Sequence, residues 1–102
     1  MIKLELISVR RLDRTPIDQF HHSDHGIEEY IKQHFQDTNK LISMSTSISK
    51  DYSTQTKTLI FKSHDAYTEF LNDKILQYQE KVIQFRYNNW HNITTNKIVE
   101  EI

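Results

Sequence analysis

Cysteine is absent from the 102-residue chain, and glycine, proline, alanine and tryptophan occur once each. Without thiols there is no disulfide framework, no thiolate zinc site and no cysteine nucleophile. No apolar run approaches the ~18 residues that a membrane-spanning helix needs. The N-terminus opens on a strand-like alternation and not on a basic, then apolar, export signal. A cytoplasmic protein is therefore expected. An excess of one charge is missing as well: 13 Lys and Arg stand against 14 Asp and Glu, for a net charge of -1. That balance leaves nothing to drive phosphate neutralisation and argues against nucleic-acid binding.

What remains is 36% hydrophobic, 26% charged and 11% aromatic, the composition of one folded domain spanning residues 1–102. Thirteen Ile and nine Lys against four Arg point to a low-GC genome, so isolated Asn or Lys residues carry little weight.

Met1 to Arg11 places Ile2, Leu4 and Leu6 on one side of an extended chain and Ile7 and Val9 on the other. Thr15, Pro16 and Asp18 mark a helix start. Ile17, Phe20, Ile27, Ile31 and Phe35 then form one helical stripe, interrupted by Asp24 and Gly26, where a kink is expected. Leu41 to Ser49 alternates strictly, with Ile42, Met44 and Ile48 on one side and serines on the other. After a polar break at Lys50 to Ser53, a second strand alternates Thr54, Thr56, Thr58 and Ile60 with Gln55, Lys57, Leu59 and Phe61, completing a hairpin.

Ser63 caps a helix carrying Ala66, Tyr67, Phe70 and Leu71, and Asn72-Asp73 ends it. A further helix over about Lys74 to Asn89 has an apolar face broad enough to cover more than one surface, and Ile93 to Ile102 closes the chain as a strand. Strand, helix, strand, strand, helix, strand is the split β-α-β order. It predicts an α+β, ferredoxin-like βαββαβ domain: a four-stranded antiparallel sheet with helices on one face. Helices over Ile42, Met44, Leu59 and Phe61 would leave Ser43, Ser45, Ser47, Thr54, Thr56 and Thr58 on a bare face. Small hydroxylic residues there suit the close approach of a second copy, so a homodimer is expected.

The stretch Phe61-Lys62-Ser63-His64-Asp65-Ala66-Tyr67-Thr68-Glu69-Phe70-Leu71, followed by Arg86-Tyr87-Asn88-Asn89-Trp90-His91-Asn92-Ile93, resembles the dimeric ferredoxin-like proteins (dimeric α+β barrels), in particular the antibiotic-biosynthesis-monooxygenase-like group. That resemblance implies a dimeric α+β barrel and, among its members' activities, cofactor-independent oxygenation, haem degradation or plain ligand binding. The haem-degrading branch pairs a first-strand Asn with a helical Trp and His. Here the first strand has no Asn and Tyr67 stands where a Trp would be, so haem cleavage is not implied.

Two histidine groups carry possible chemistry. His21 and His25 are four apart on the expected helix, near Glu28 and Glu29, a spacing suited to a divalent ion. Gly26 beside them and the lack of a second cluster favour a solvated surface, and no metal site is assigned. His91, next to Trp90 at a helix-to-strand junction, is a candidate acid, base or ligand-orienting group. The run Arg10-Arg11-Leu12-Asp13-Arg14 reads as a solvated loop. No nucleophile elbow, phosphate loop or nucleic-acid motif is present. The leading expectation is a small homodimer that binds an apolar or amphipathic, fatty-acid-like molecule between helices and sheet, with no cofactor. Its walls would be Phe20, Ile31, Met44, Tyr67, Phe70 and Trp90, with His21 or His91 meeting a head group at the mouth. The alternatives are a cofactor-independent monooxygenase and a purely structural or partner-binding dimer.

Overall fold

A computed structural model describes residues 1–11 and 25–102. Four strands form one antiparallel sheet: β1 (Ile2–Arg10), β2 (Leu41–Ile48), β3 (Thr54–Phe61) and β4 (Ile93–Glu101), in the order β2-β3-β1-β4. Among the described residues three helices join them: α1 (His25–Ile31), α2 (His64–Asn72) and α3 (Lys74–Arg86). α1 runs on into a π-turn, Lys32–Gln36, and α3 into another, Tyr87–His91. Order and pairing are those of the ferredoxin-like βαββαβ fold. The Thr15-Pro16 helix start and the His21 part of the histidine cluster lie outside the described residues.

Local chemistry sets the boundaries. The Ser63 hydroxyl accepts from the Ala66 N–H at 3.2 Å and starts α2. Asp73, held in extended backbone, separates α2 from α3, and its carboxylate accepts the Leu76 N–H at 3.0 Å to start the next helix. The final helix ends as α at Arg86, and the π-turn after it stops at Asn92, whose left-handed φ of 54° turns the chain into β4. Gly26 lies within α1 with the chain helical on its C-terminal side.

The helices cover the sheet face that carries Ile2, Leu4, Leu59 and Phe61. Together with Leu41, Ile31, Phe35, Ala66 and Leu76 these form the core. One strand expectation is corrected. Ile42 does not face the helices; it is 50% exposed, and Leu41 takes its place in the core. Leu41 pairs with Phe61, yet Ser43 pairs with Ile60 and Met44 with Leu59. The unpaired Ile42 is a β-bulge, which lets Leu41 and Met44, three residues apart, point the same way. Arg10 corrects a second expectation: it is a strand residue, 7% exposed, whose Nε–H donates to the Tyr52 carbonyl. The far side of the sheet carries Ile7, Thr56 and Ser47 in one register, with Glu5, Thr58 and Ser45 in the next. No described helix packs on it, as the alternation predicts. α3 buries Leu76 but leaves Ile75, Tyr78 and Phe85 exposed, so its broad apolar face is only partly covered by the described residues.

Candidate functional site

Between helices and sheet lies a cavity of about 130 Å³. It is close in size to an engineered ~150 Å³ cavity known to accept benzene. Its floor is built by cross-strand register. Residues Leu59, Leu4 and Val99 stand side by side on β3, β1 and β4, then Lys57, Leu6 and Lys97, then Gln55, Ser8 and Thr95. The helix-facing surface of the sheet thus changes from apolar to polar within three rungs. Leu4, Leu59 and Met44 floor the apolar end, roofed by Ile31, Tyr67 and Phe70. Phe70 and Tyr67 are fixed by ring contacts with Phe61, centroids 5.0 and 5.3 Å apart, and Phe35 meets Phe70 edge-on at 5.4 Å.

The polar end is organised differently. Ser8 Oγ and Thr95 Oγ1 are hydrogen-bonded at 2.9 Å. Lys57 Nζ lies 3.6 Å from Glu28 of α1, and Lys97 Nζ 2.5 Å from Glu80 of α3, so two ion pairs tie roof to floor. The four charges cancel. Tyr87, only 3% exposed, closes this side from the second π-turn. Above, the Tyr30 hydroxyl donates to Asp73 Oδ2 at 2.8 Å, joining α1 to the start of α3. That bond, with a smaller contribution from burial, raises the Tyr30 pKa above its ordinary 10.0.

Of the residues singled out in the sequence, Ile31, Met44, Tyr67 and Phe70 line this cavity together. Trp90 does not: it is 63% exposed, with its ring 6.1 Å from that of Phe85. Phe20 and His21 lie outside the described residues, as does the His91 side chain. Among the described residues no group of three His, Asp or Glu could hold a metal ion, and no helix is long and apolar enough to cross a membrane. Ser8, Gln55, Lys57, Thr95 and Lys97 were not singled out. The available signal was phase: Gln55 and Lys57 alternate in step with Leu59 and Phe61, which places polar groups on the core face.

No family model and no curated protein matches the sequence. Solved structures match the fold. A candidate antibiotic biosynthesis monooxygenase from Deinococcus radiodurans aligns with a TM-score of 0.73 over 100% of this chain and 92% of its own, at 10% identity. SnoaB, a cofactor-independent oxygenase from Streptomyces nogalater, aligns at 0.68 over 99% and 91%, with 8% identity. A further antibiotic biosynthesis monooxygenase aligns at 0.64 over 100% and 98%, with 7% identity. The chain shares the ferredoxin-like fold of these proteins. At such identities the likeness is one of fold, and the chemistry of the cavity is this chain's own.

Proposed function

We propose that the protein binds a small amphipathic molecule between its helices and sheet. The observation that supports this most is the graded floor: apolar at Leu4 and Leu59, polar at Ser8, Gln55 and Thr95, beneath one roof. A guest laid along it keeps its apolar part against Ile31, Met44, Tyr67 and Phe70 and its polar end on the hydroxyls and amide. The binding unit is a homodimer joined through the bare sheet face, where Ile7, Ile60 and Ile98 stand among Ser and Thr residues that allow close approach. Toluene, which matches the cavity in size, tests it. Saturation-transfer NMR should detect its binding to the native protein, and Met44→Trp, which fills the apolar end, should abolish the signal while leaving a cooperative melt. No signal, together with strong destabilisation by Met44→Trp, overturns the reading, because the space is then packed core.

In a second reading the guest is also a substrate. SnoaB, which has this fold, is named a cofactor-independent oxygenase, and a hydroxylated aromatic would fit the same apolar-to-polar floor. Oxygen uptake with a naphthol, above the uncatalysed rate and lost in Met44→Trp, is the result expected of an enzyme.

A further inference from the structure

Gln55 is 5% exposed, on the central strand β3, in the rung it shares with Ser8 and Thr95. Among the described residues, every side-chain nitrogen and oxygen sealed from solvent has a hydrogen-bond partner. Among the described residues the Gln55 amide has no hydrogen-bond partner, and Gln55 lines the cavity. Its neighbours differ: the Ser8 and Thr95 hydroxyls are hydrogen-bonded to one another, and Lys57 is paired with Glu28. Among the described residues, an amide so deeply buried faces the space between sheet and helices, whose lining includes Gln55.

We propose that Gln55 is the specificity-determining residue of this cavity, reading an uncharged donor-acceptor group, such as an amide or an enolised hydroxy-ketone, at the polar end of the guest. The proposal rests on the cavity being a binding site. Glutamine presents an N–H donor and a carbonyl acceptor side by side, so it is matched by a ligand edge that offers an acceptor and a donor together. A guest lacking such an edge would cover the amide and leave both its atoms unpaired, which selects strongly against it. The charges point the same way. A free carboxylate at this end would meet lysines already neutralised by Glu28 and Glu80, and would sit close to both acids. A neutral polar head therefore fits better than the carboxylate of a fatty acid.

The test compares naphthalene, 2-naphthamide and 2-naphthoate, which share one apolar body, on the native protein and on Gln55→Met, a substitution of similar shape. Native protein should bind 2-naphthamide at least ten-fold tighter than naphthalene and 2-naphthoate. Gln55→Met should bring the amide within about two-fold of naphthalene and should melt no lower than native, since the lost amide had no partner. In the native protein the Gln55 side-chain N–H should shift downfield in the NMR spectrum with 2-naphthamide, a readout that needs no variant. Equal binding of amide and hydrocarbon, or an amide preference that survives Gln55→Met, overturns the assignment of Gln55 and leaves the cavity as a binding site. Failure of all three probes to bind overturns both.

Discussion

Tyr30 and Asp73, 43 residues apart in the chain, meet in a 2.8 Å hydrogen bond that fastens α1 to the first turn of α3. Asp73 uses its other oxygen to cap α3 through the Leu76 N–H. One carboxylate therefore both starts a helix and holds the roof of the cavity together.

Tyr30→Phe removes only the inter-helix bond and should cost about 1 kcal/mol in urea unfolding. Asp73→Ala removes the cap as well and should cost about 2 kcal/mol. Asp73→Asn, which keeps one acceptor for the Leu76 N–H and offers the Tyr30 oxygen an N–H donor in place of the second acceptor, should fall between native and Asp73→Ala. The pH dependence follows from the raised Tyr30 pKa. Its stabilisation is complete below the ordinary phenol value of 10.0 and is lost as pH rises through the elevated one. Ultraviolet titration should show a tyrosine step above 10.0, and Tyr30→Phe should delete it.

The turn between β2 and β3 makes an opposite prediction at acid pH. The Asp51 carboxylate accepts from the Ser49 and Ser53 hydroxyls at 2.8 and 2.7 Å and from the Ser53 N–H at 3.0 Å. These bonds, led by the Ser53 hydroxyl, lower its pKa from 3.8 to about 2. Its contribution to stability is present above 3.8 and is lost as pH falls through about 2. A side-chain carboxyl NMR titration should place the Asp51 midpoint near 2. Asp51→Asn should flatten the stability curve between those two values.

Charge on the bare sheet face should disrupt the proposed dimer. Thr56 stands between Ile7 on β1 and Ser47 on β2, at the centre of the uncovered surface. Two copies of Thr56→Glu brought face to face would bury like charges, which costs several kcal/mol. Light scattering should give twice the monomer mass for the native protein and one monomer mass for Thr56→Glu, with the melt of each protomer still cooperative. A native protein that is monomeric at micromolar concentration would refute the proposed assembly.

Strands and helix starts were legible because each is written locally. The alternation at Leu41 to Ser49, the Ser63 cap and the Asn72-Asp73 break all report on neighbours in the chain. Ile42 was misplaced because alternation assumes an unbroken ladder, and the bulge opposite Phe61 shifts the phase by one residue. Trp90 fails to reach the cavity for a different reason: its place at the helix-to-strand junction suggests a lid over one end, but that junction is a π-turn that leaves the ring exposed beside Phe85. The polar floor was half legible. Gln55 and Lys57 show their face by their own alternation, but only the register of β1 against β3 and β4 brings Ser8 and Thr95 beside Gln55. That pairing between distant segments is not written in any one of them.

The bulge at Ile42 also bears on solubility. β2 is an outermost strand of the sheet, and Leu41-Ile42-Ser43-Met44 would otherwise offer a foreign chain a flat apolar template for continued pairing. The extra residue breaks the spacing of free N–H and C=O groups there and increases the local twist, so an incoming strand cannot stay in step. On the opposite margin, β4 carries Lys97, Glu100 and Glu101, charges that would be buried against any added strand. Both margins of the sheet thus carry features that disfavour edge-to-edge pairing, a bulge on one side and charge on the other.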